Sequence, residues 1–176
     1  MSPCRWSWFL VRVFVPTVLA PAARAQSSQD AVRQKFIGTW RLVAIEGTGR
    51  GTGPDEHPSG LITYDSTGHV AVQISFKPNR PAFANGARAG TVEEKAAAFD
   101  SYGAYYGTLS VDPAAGIVIH HVEGSLNPSD VGKDNVRYYE LEGNRVTLSI
   151  ADDDQGRRLA RKDTSAHLIW ERIEPR

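Results

Sequence analysis

From Thr39 onward the chain alternates apolar and polar residues in short runs rich in Val, Ile, Thr, Tyr and Leu. Turn clusters separate them, the texture of half-buried strands. The runs predict strands over Thr39–Glu46, Gly60–Asp65, His69–Phe76, Tyr105–Val111, Ile117–Leu126, Asn135–Glu142, Arg145–Ala151 and Ala166–Ile173. The reversals "DSTG" (Asp65–Gly68), "DPAAG" (Asp112–Gly116) and "EGN" (Glu142–Asn144) carry the Gly, Asn and Asp that tight turns need. Strands joined this closely pair antiparallel in sequence order. About eight such strands close an up-and-down barrel, whose interior fills with side chains or holds one small ligand. An open sandwich is the structural alternative.

Two segments have helical spacing instead. "SSQDAVRQKF" (Ser27–Phe36) predicts a short N-terminal helix, with Ser28 as N-cap and Ala31, Val32, Phe36 and Ile37 as its packing face. "TVEEKAAAFDSYG" (Thr91–Gly103) places Val92, Ala96, Phe99 and Gly103 at helical intervals, and Thr91 with Glu94 forms a capping box. This helix falls between the third and fourth strands and follows the Pro- and Gly-containing loop Lys77–Gly90, an arrangement that suits a lid or an end-plug. A second long loop, Gly47–Gly60, is glycine-rich. It lacks a Walker lysine and a strand-to-helix setting, so it does not read as a phosphate loop.

Alternation assigns a face to each strand residue. His120 and His121 are adjacent and therefore point to opposite faces, so the two cannot grip one ion. Val118 and Val122 share a face with His120, followed by Gly124 and Leu126. His121 shares its face with Glu123. The apolar neighbours place His120 inside and His121 with Glu123 outside; a bulge near Gly124 would disturb this order. In "NVRYYELEG", Glu140 and Glu142 suit water, so Val136 and Tyr138 share the outer face and Arg137, Tyr139 and Leu141 point inward. An inward arginine needs a partner, because an unpaired buried charge costs several kcal/mol. Tyr64, Tyr105 and Tyr139 each combine an apolar ring with one hydroxyl, and Gln73 adds an amide. Tyr64, Gln73, Tyr105, His120, Arg137 and Tyr139 are the candidate ligand-binding residues.

The N-terminal residues have a different character. Arg5 precedes an apolar stretch from Trp8 to Ala20, and Ala23-Arg24-Ala25 is an A-x-A cleavage pattern. Residues 1–25 predict an export signal, leaving a mature domain over 26–176 that is periplasmic or secreted. Arg12 inside the apolar stretch leaves an uncleaved anchor or a later start codon as alternatives. Cys4, the sole cysteine, lies in this leader, so the mature chain must hold together by its core without disulfides. Twenty basic residues balance 20 acidic ones, which gives no electrostatic surface for nucleic acid or anionic lipid.

Motif chemistry is sparse. The five histidines, at 57, 69, 120, 121 and 167, lack zinc-site spacing, and Asp152-Asp153-Asp154 lacks the register of a calcium loop, so no metal or cofactor is expected. There is no G-x-S-x-G element.

"FIGTWRLVAIE" (Phe36–Glu46) at the first strand and "LIWERI" (Leu168–Ile173) at the last resemble the lipocalin signature, in which a tryptophan closes one barrel end and an arginine packs across it. The resemblance makes Trp40 and Arg172 that structural pair, a cation–π contact. The ordered stretches "PSGLITYDSTGHVAVQI", "RPAF", "TVEEKAAAFDSYGAYYGTLSVD", "IVIHHVEGSLNPSDVG" and "VRYYELEGNRVTLS" extend the likeness over nearly everything after Phe36. The chain is similar to the lipocalin-like domain family, which implies a calycin-type barrel without a settled activity. Three functions follow. The first is binding of a small, partly apolar molecule, anionic ones included, inside the barrel. The second is an isomerase, cyclase or hydratase with His120 as acid–base. The third is a fully packed structural barrel.

Overall fold

The computed structural model describes residues 20–53, 55–153 and 157–174. Helix α1 (Ala20–Phe36) precedes strands β1 (Gly38–Gly47), β2 (Ser59–Tyr64) and β3 (His69–Ser75). Helix α2 (Val92–Asp100) follows, then β4 (Tyr102–Asp112), β5 (Ile117–Ser125), β6 (Asp134–Glu142), β7 (Arg145–Ile150) and β8 (Ala166–Arg172). The eight strands form one closed antiparallel barrel in sequence order, β8 returning to β1, so no sheet edge is left for another chain to pair with. The sandwich alternative is thereby removed.

The two ends of the barrel differ. Short turns join β2 to β3, β4 to β5 and β6 to β7, all at the end where Trp40 sits. The longer connections, β1–β2, β3–β4, β5–β6 and β7–β8, gather at the other end. Helix α1 plugs the first end. Phe36 is wholly buried and meets the rings of Tyr64 and Tyr139 edge-on, with centroids 5.2 and 5.3 Å away. Trp40, also wholly buried, donates from Nε1 to the Phe36 carbonyl at 2.8 Å. The Arg172 guanidinium lies 4.0 Å from the Trp40 ring centroid, and Arg172 is Trp40's register partner on β8. The same guanidinium donates to the carbonyls of Ile37 and Lys35, so it ties the outgoing chain of α1 to the last strand.

Inside, Leu42, Ile62, Val70, Val72, Val118, Val146, Leu148 and Trp170 form the main core. A second, smaller cluster of Ile117, Val136 and Ala151 lies on the outer face of β5 and β6. The β7–β8 connection contributes to its cover: Leu159 donates its backbone N–H to Ala151, and the Tyr138 hydroxyl donates to the Leu159 carbonyl at 2.8 Å. This explains apolar residues on a face that alternation assigns to water.

The structure corrects four expectations. Helix α1 begins earlier than Ser27, and Ser28 is not its N-cap. Ser27 and Ser28 sit inside the helix and donate to the carbonyls of Arg24 and Ala25, the back-bonding that lets serine occupy a helix interior. Ala31, expected to pack, is exposed. Helix α2 stops at Asp100 rather than Gly103, because the Ser101 N–H caps the Ala97 and Phe99 carbonyls and Tyr102 then pairs with Ser75. Finally, β5 carries a bulge: Tyr106 pairs with Gly124 and Gly107 with Val122, leaving Glu123 extra. Beyond the bulge the faces exchange. Gly124 turns outward beneath Tyr106, where a Cβ would stand 2.4 Å from the ring, and Ser125 turns inward in its place.

Candidate functional site

The bulge lies after His120 and leaves its direction intact. His120 points into the barrel, 1% exposed, between Val118 and Val122. Both ring nitrogens are engaged. The Tyr64 hydroxyl is 3.0 Å from Nε2 and the Tyr105 hydroxyl 2.8 Å from Nδ1. Three strands, β2, β5 and β4, thus contribute to one buried chain, Tyr64–His120–Tyr105. Burial first, then the nearby Arg137 guanidinium, bring the His120 pKa down to about 3, so the imidazole is neutral near pH 7. Burial also raises both hydroxyls; the nearby Arg137 guanidinium offsets part of the effect in each.

Above this chain, toward the end with the long loops, lies a cavity of about 310 Å³. Its walls are mostly apolar: Ile45, Ile62, Val72, Ile74, Leu148 and Leu168 come from the strands, with Phe76 and Phe99 at the mouth. Tyr105, His120 and Arg137 bring its polar groups, together with Asn135 one alternation step before Arg137. Arg137 donates to the carbonyl of Val136 at 2.8 Å, and among the described residues no carboxylate stands within ion-pair distance of it. Asp130, at the rim, instead faces the Asn127 amide and the Ser125 hydroxyl. Trp170 lines the same space, and its buried Nε1–H has no protein partner among the described residues.

The six sequence candidates separate accordingly. Tyr105, His120 and Arg137 come together on the cavity wall. Tyr64 points inward but stands behind His120, against Phe36. Tyr139 points inward too, yet it is spent on the closed end, edge-on to Phe36. Gln73 does not face the interior. Its neighbours Val72 and Ile74 are buried, so alternation turns it outward, where the Tyr102 hydroxyl donates to its Oε1 at 3.1 Å. Asn135 is a lining residue absent from the sequence candidates, although the alternation that places Arg137 inward also implies it.

His121 takes the outer face as expected, but its partner is Asp134 rather than Glu123. Nδ1 lies 2.7 Å from the Asp134 carboxylate and Nε2 2.9 Å from the Ser110 hydroxyl. This Ser–His–Asp sequence of contacts has the order of a nucleophilic triad. It sits on the outer face of the barrel, where Ser110 pairs in register with Ile119 of β5 and His121 with Asp134 of β6, so the contacts read as a cross-strand polar ladder. At the acidic tip Asp152 pairs with Arg158 at 2.6 Å and Asp153 with Arg157 at 2.7 Å; Asp154 lies outside the described residues, as does the leader before Ala20.

No curated protein matches the chain. The lipocalin-like domain family matches residues 37–173, from the residue before β1 to the residue after β8. With its closed eight-stranded barrel and its tryptophan–arginine end closure, the chain belongs to the lipocalin-like domain family.

Proposed function

We propose that the barrel binds a small, partly apolar molecule in its interior, with an anionic group of that molecule set against Arg137. The observation that carries this reading is the presence, in one largely apolar cavity of about 310 Å³, of a guanidinium that forms no ion pair with any carboxylate among the described residues. Concave sites with apolar walls and a few placed polar groups are the usual form of small-molecule pockets. A carboxylate would meet Arg137 with charge-assisted, forked hydrogen bonds. The space left open argues against the fully packed barrel.

An enzymatic role for His120 has less support. Its neutral imidazole is the correct form for a base, but with a pKa of about 3 it takes up a proton poorly near pH 7. Both of its nitrogens are already held by tyrosines. Export by cleavage before Gln26 belongs to the same proposal, and N-terminal sequencing of the mature protein tests it.

Binding is tested with anilinonaphthalene sulfonate, an apolar fluorescent anion. The expected result is saturable fluorescence with the parent protein and its loss in Leu168→Trp, which puts an indole into the cavity and leaves residue Arg137 unchanged. Equal fluorescence in both proteins would place the dye elsewhere and defeat the reading.

A further inference from the structure

The Tyr64–His120–Tyr105 chain has a direction, and that direction determines what the cavity offers. Tyr64 is 1% exposed, and His120 Nε2 is the hydrogen-bond partner its hydroxyl has among the described residues. A buried donor left unmade costs more than an unmade acceptor, so the hydroxyl hydrogen points to Nε2. Nε2 must then be the unprotonated nitrogen. The ring is neutral, so Nδ1 carries its one hydrogen. Nδ1 faces Tyr105, whose oxygen therefore accepts at 2.8 Å. Tyr105 cannot return its own hydrogen to the same nitrogen. The Asn135 side chain also meets the Tyr105 oxygen, and because this contact lowers the hydroxyl's pKa it is a donor there too; the hydroxyl hydrogen is left for the cavity, which Tyr105 lines together with Asn135 and Arg137.

We propose that Tyr64 and His120 act as positioning residues that turn the Tyr105 hydroxyl outward as a donor beside Arg137, making the inner end of the cavity a receptor for a carboxylate or an equivalent delocalised oxyanion. The inference rests on the reading that the cavity binds a ligand and adds the class of group it selects. The guanidinium and the turned hydroxyl both donate into the cavity, and the amide oxygen of Asn135 is the acceptor on the same wall. The polar groups of opposite capacity, Asp130, Asn127 and Ser125, satisfy one another at the rim.

The first test needs no ligand. Long-range ¹H–¹⁵N correlation spectra of the full chain report which nitrogen of His120 is protonated. Protonated Nδ1 with bare Nε2 is expected; the opposite tautomer would overturn the proposal, because Tyr105 would then donate to the ring. The second is calorimetric titration with 4-phenylbutyrate and with 4-phenylbutan-1-ol. A hydrogen bond to a charged group predicts that Tyr105→Phe weakens the carboxylate roughly tenfold or more and leaves the alcohol nearly unchanged. If Tyr105→Phe binds the carboxylate like the parent while Arg137→Met loses it, the turned hydroxyl is refuted and the pocket stands. If neither probe binds the parent and anilinonaphthalene sulfonate does not enter it, the pocket itself is refuted and the proposal falls with it.

Discussion

Truncating Trp40 removes the centre of the closed end at once: the indole that fills it, the hydrogen bond to Phe36 and the platform under Arg172. Trp40→Ala should cost about 3–5 kcal/mol in chemical denaturation, the range for large-to-small changes in a core. An unfolding midpoint equal to the parent's would show that the closure contributes little. His120 makes a prediction about acid. In the unfolded chain a histidine titrates near ~6.5, whereas in the barrel His120 is held neutral to about 3. Its folded pKa is depressed, and its protonated form is the charged one. Stability from this group is therefore fully present above about 6.5, and it falls by roughly 1.4 kcal/mol per pH unit below that until the folded pKa is reached. Between pH 7 and 5 the parent should lose about 2 kcal/mol more than His120→Gln, measured as the change in urea stability of each protein. Equal losses would mean that His120 takes up its proton in the folded state as readily as in the unfolded one.

Among the elements, α2 is held by its ends rather than by a buried face. None of its residues is buried. Glu94 accepts from the Thr91 N–H at 2.8 Å and from the Ala84 N–H at 2.9 Å, so one carboxylate completes the capping box and also anchors the preceding loop. Arg80 reaches from that loop to the Ala98 carbonyl and the Ser101 hydroxyl. Glu94→Ala should therefore raise hydrogen exchange in residues 82–100 by about fivefold, the effect of losing a cap worth ~1 kcal/mol, with no change in β5 or β6. Uniform acceleration throughout the barrel would show that the helix is part of the global folding unit. The strands were legible because alternation and turn chemistry are local. The β5 bulge was not: Gly124 signals a place where the chain can bend, but the extra residue is identified only by the partner strand. The sequence order of the core also concealed that Ile117 and Val136 bury themselves outside the barrel, since their cover comes from residues beyond β7. Within the site, Tyr105, His120 and Arg137 follow from inward alternation on β4, β5 and β6. Gln73 was misassigned although the sequence carried the sign: Val70, Val72 and Ile74 share the opposite face, so alternation turns Gln73 outward. Tyr139 failed for another reason: inward direction does not say at which end of the barrel a ring lies.

At the scale of the molecule, the barrel divides its interior in two. The closed end is dry and aromatic, built from Phe36, Trp40, Tyr64 and Tyr139, and it secures the fold. The end with the long loops keeps open space, polar donors and a mouth bordered by Phe76 and Phe99. The His120 chain lies on the boundary, linking Tyr64 on the closed side to Tyr105 on the open side. Arg137→Met should accordingly leave the fold near parental stability, because the arginine has no ion pair to lose, and should weaken an anionic ligand by tenfold or more through loss of a charge-assisted contact. A strong fall in melting temperature would instead make Arg137 a structural residue. The central claim concerns where a ligand sits, and chemical-shift mapping with 4-phenylbutyrate tests it most directly. The structure has a second hollow, lined by α2 residues Glu93, Glu94 and Ala97 and by Arg80 and Phe83 of the preceding loop; the barrel account predicts saturable shifts at Ile45, Tyr105, His120, Asn135 and Leu168, with that groove unaffected. Shifts confined to that groove, or none at the barrel residues at saturating ligand, would contradict it.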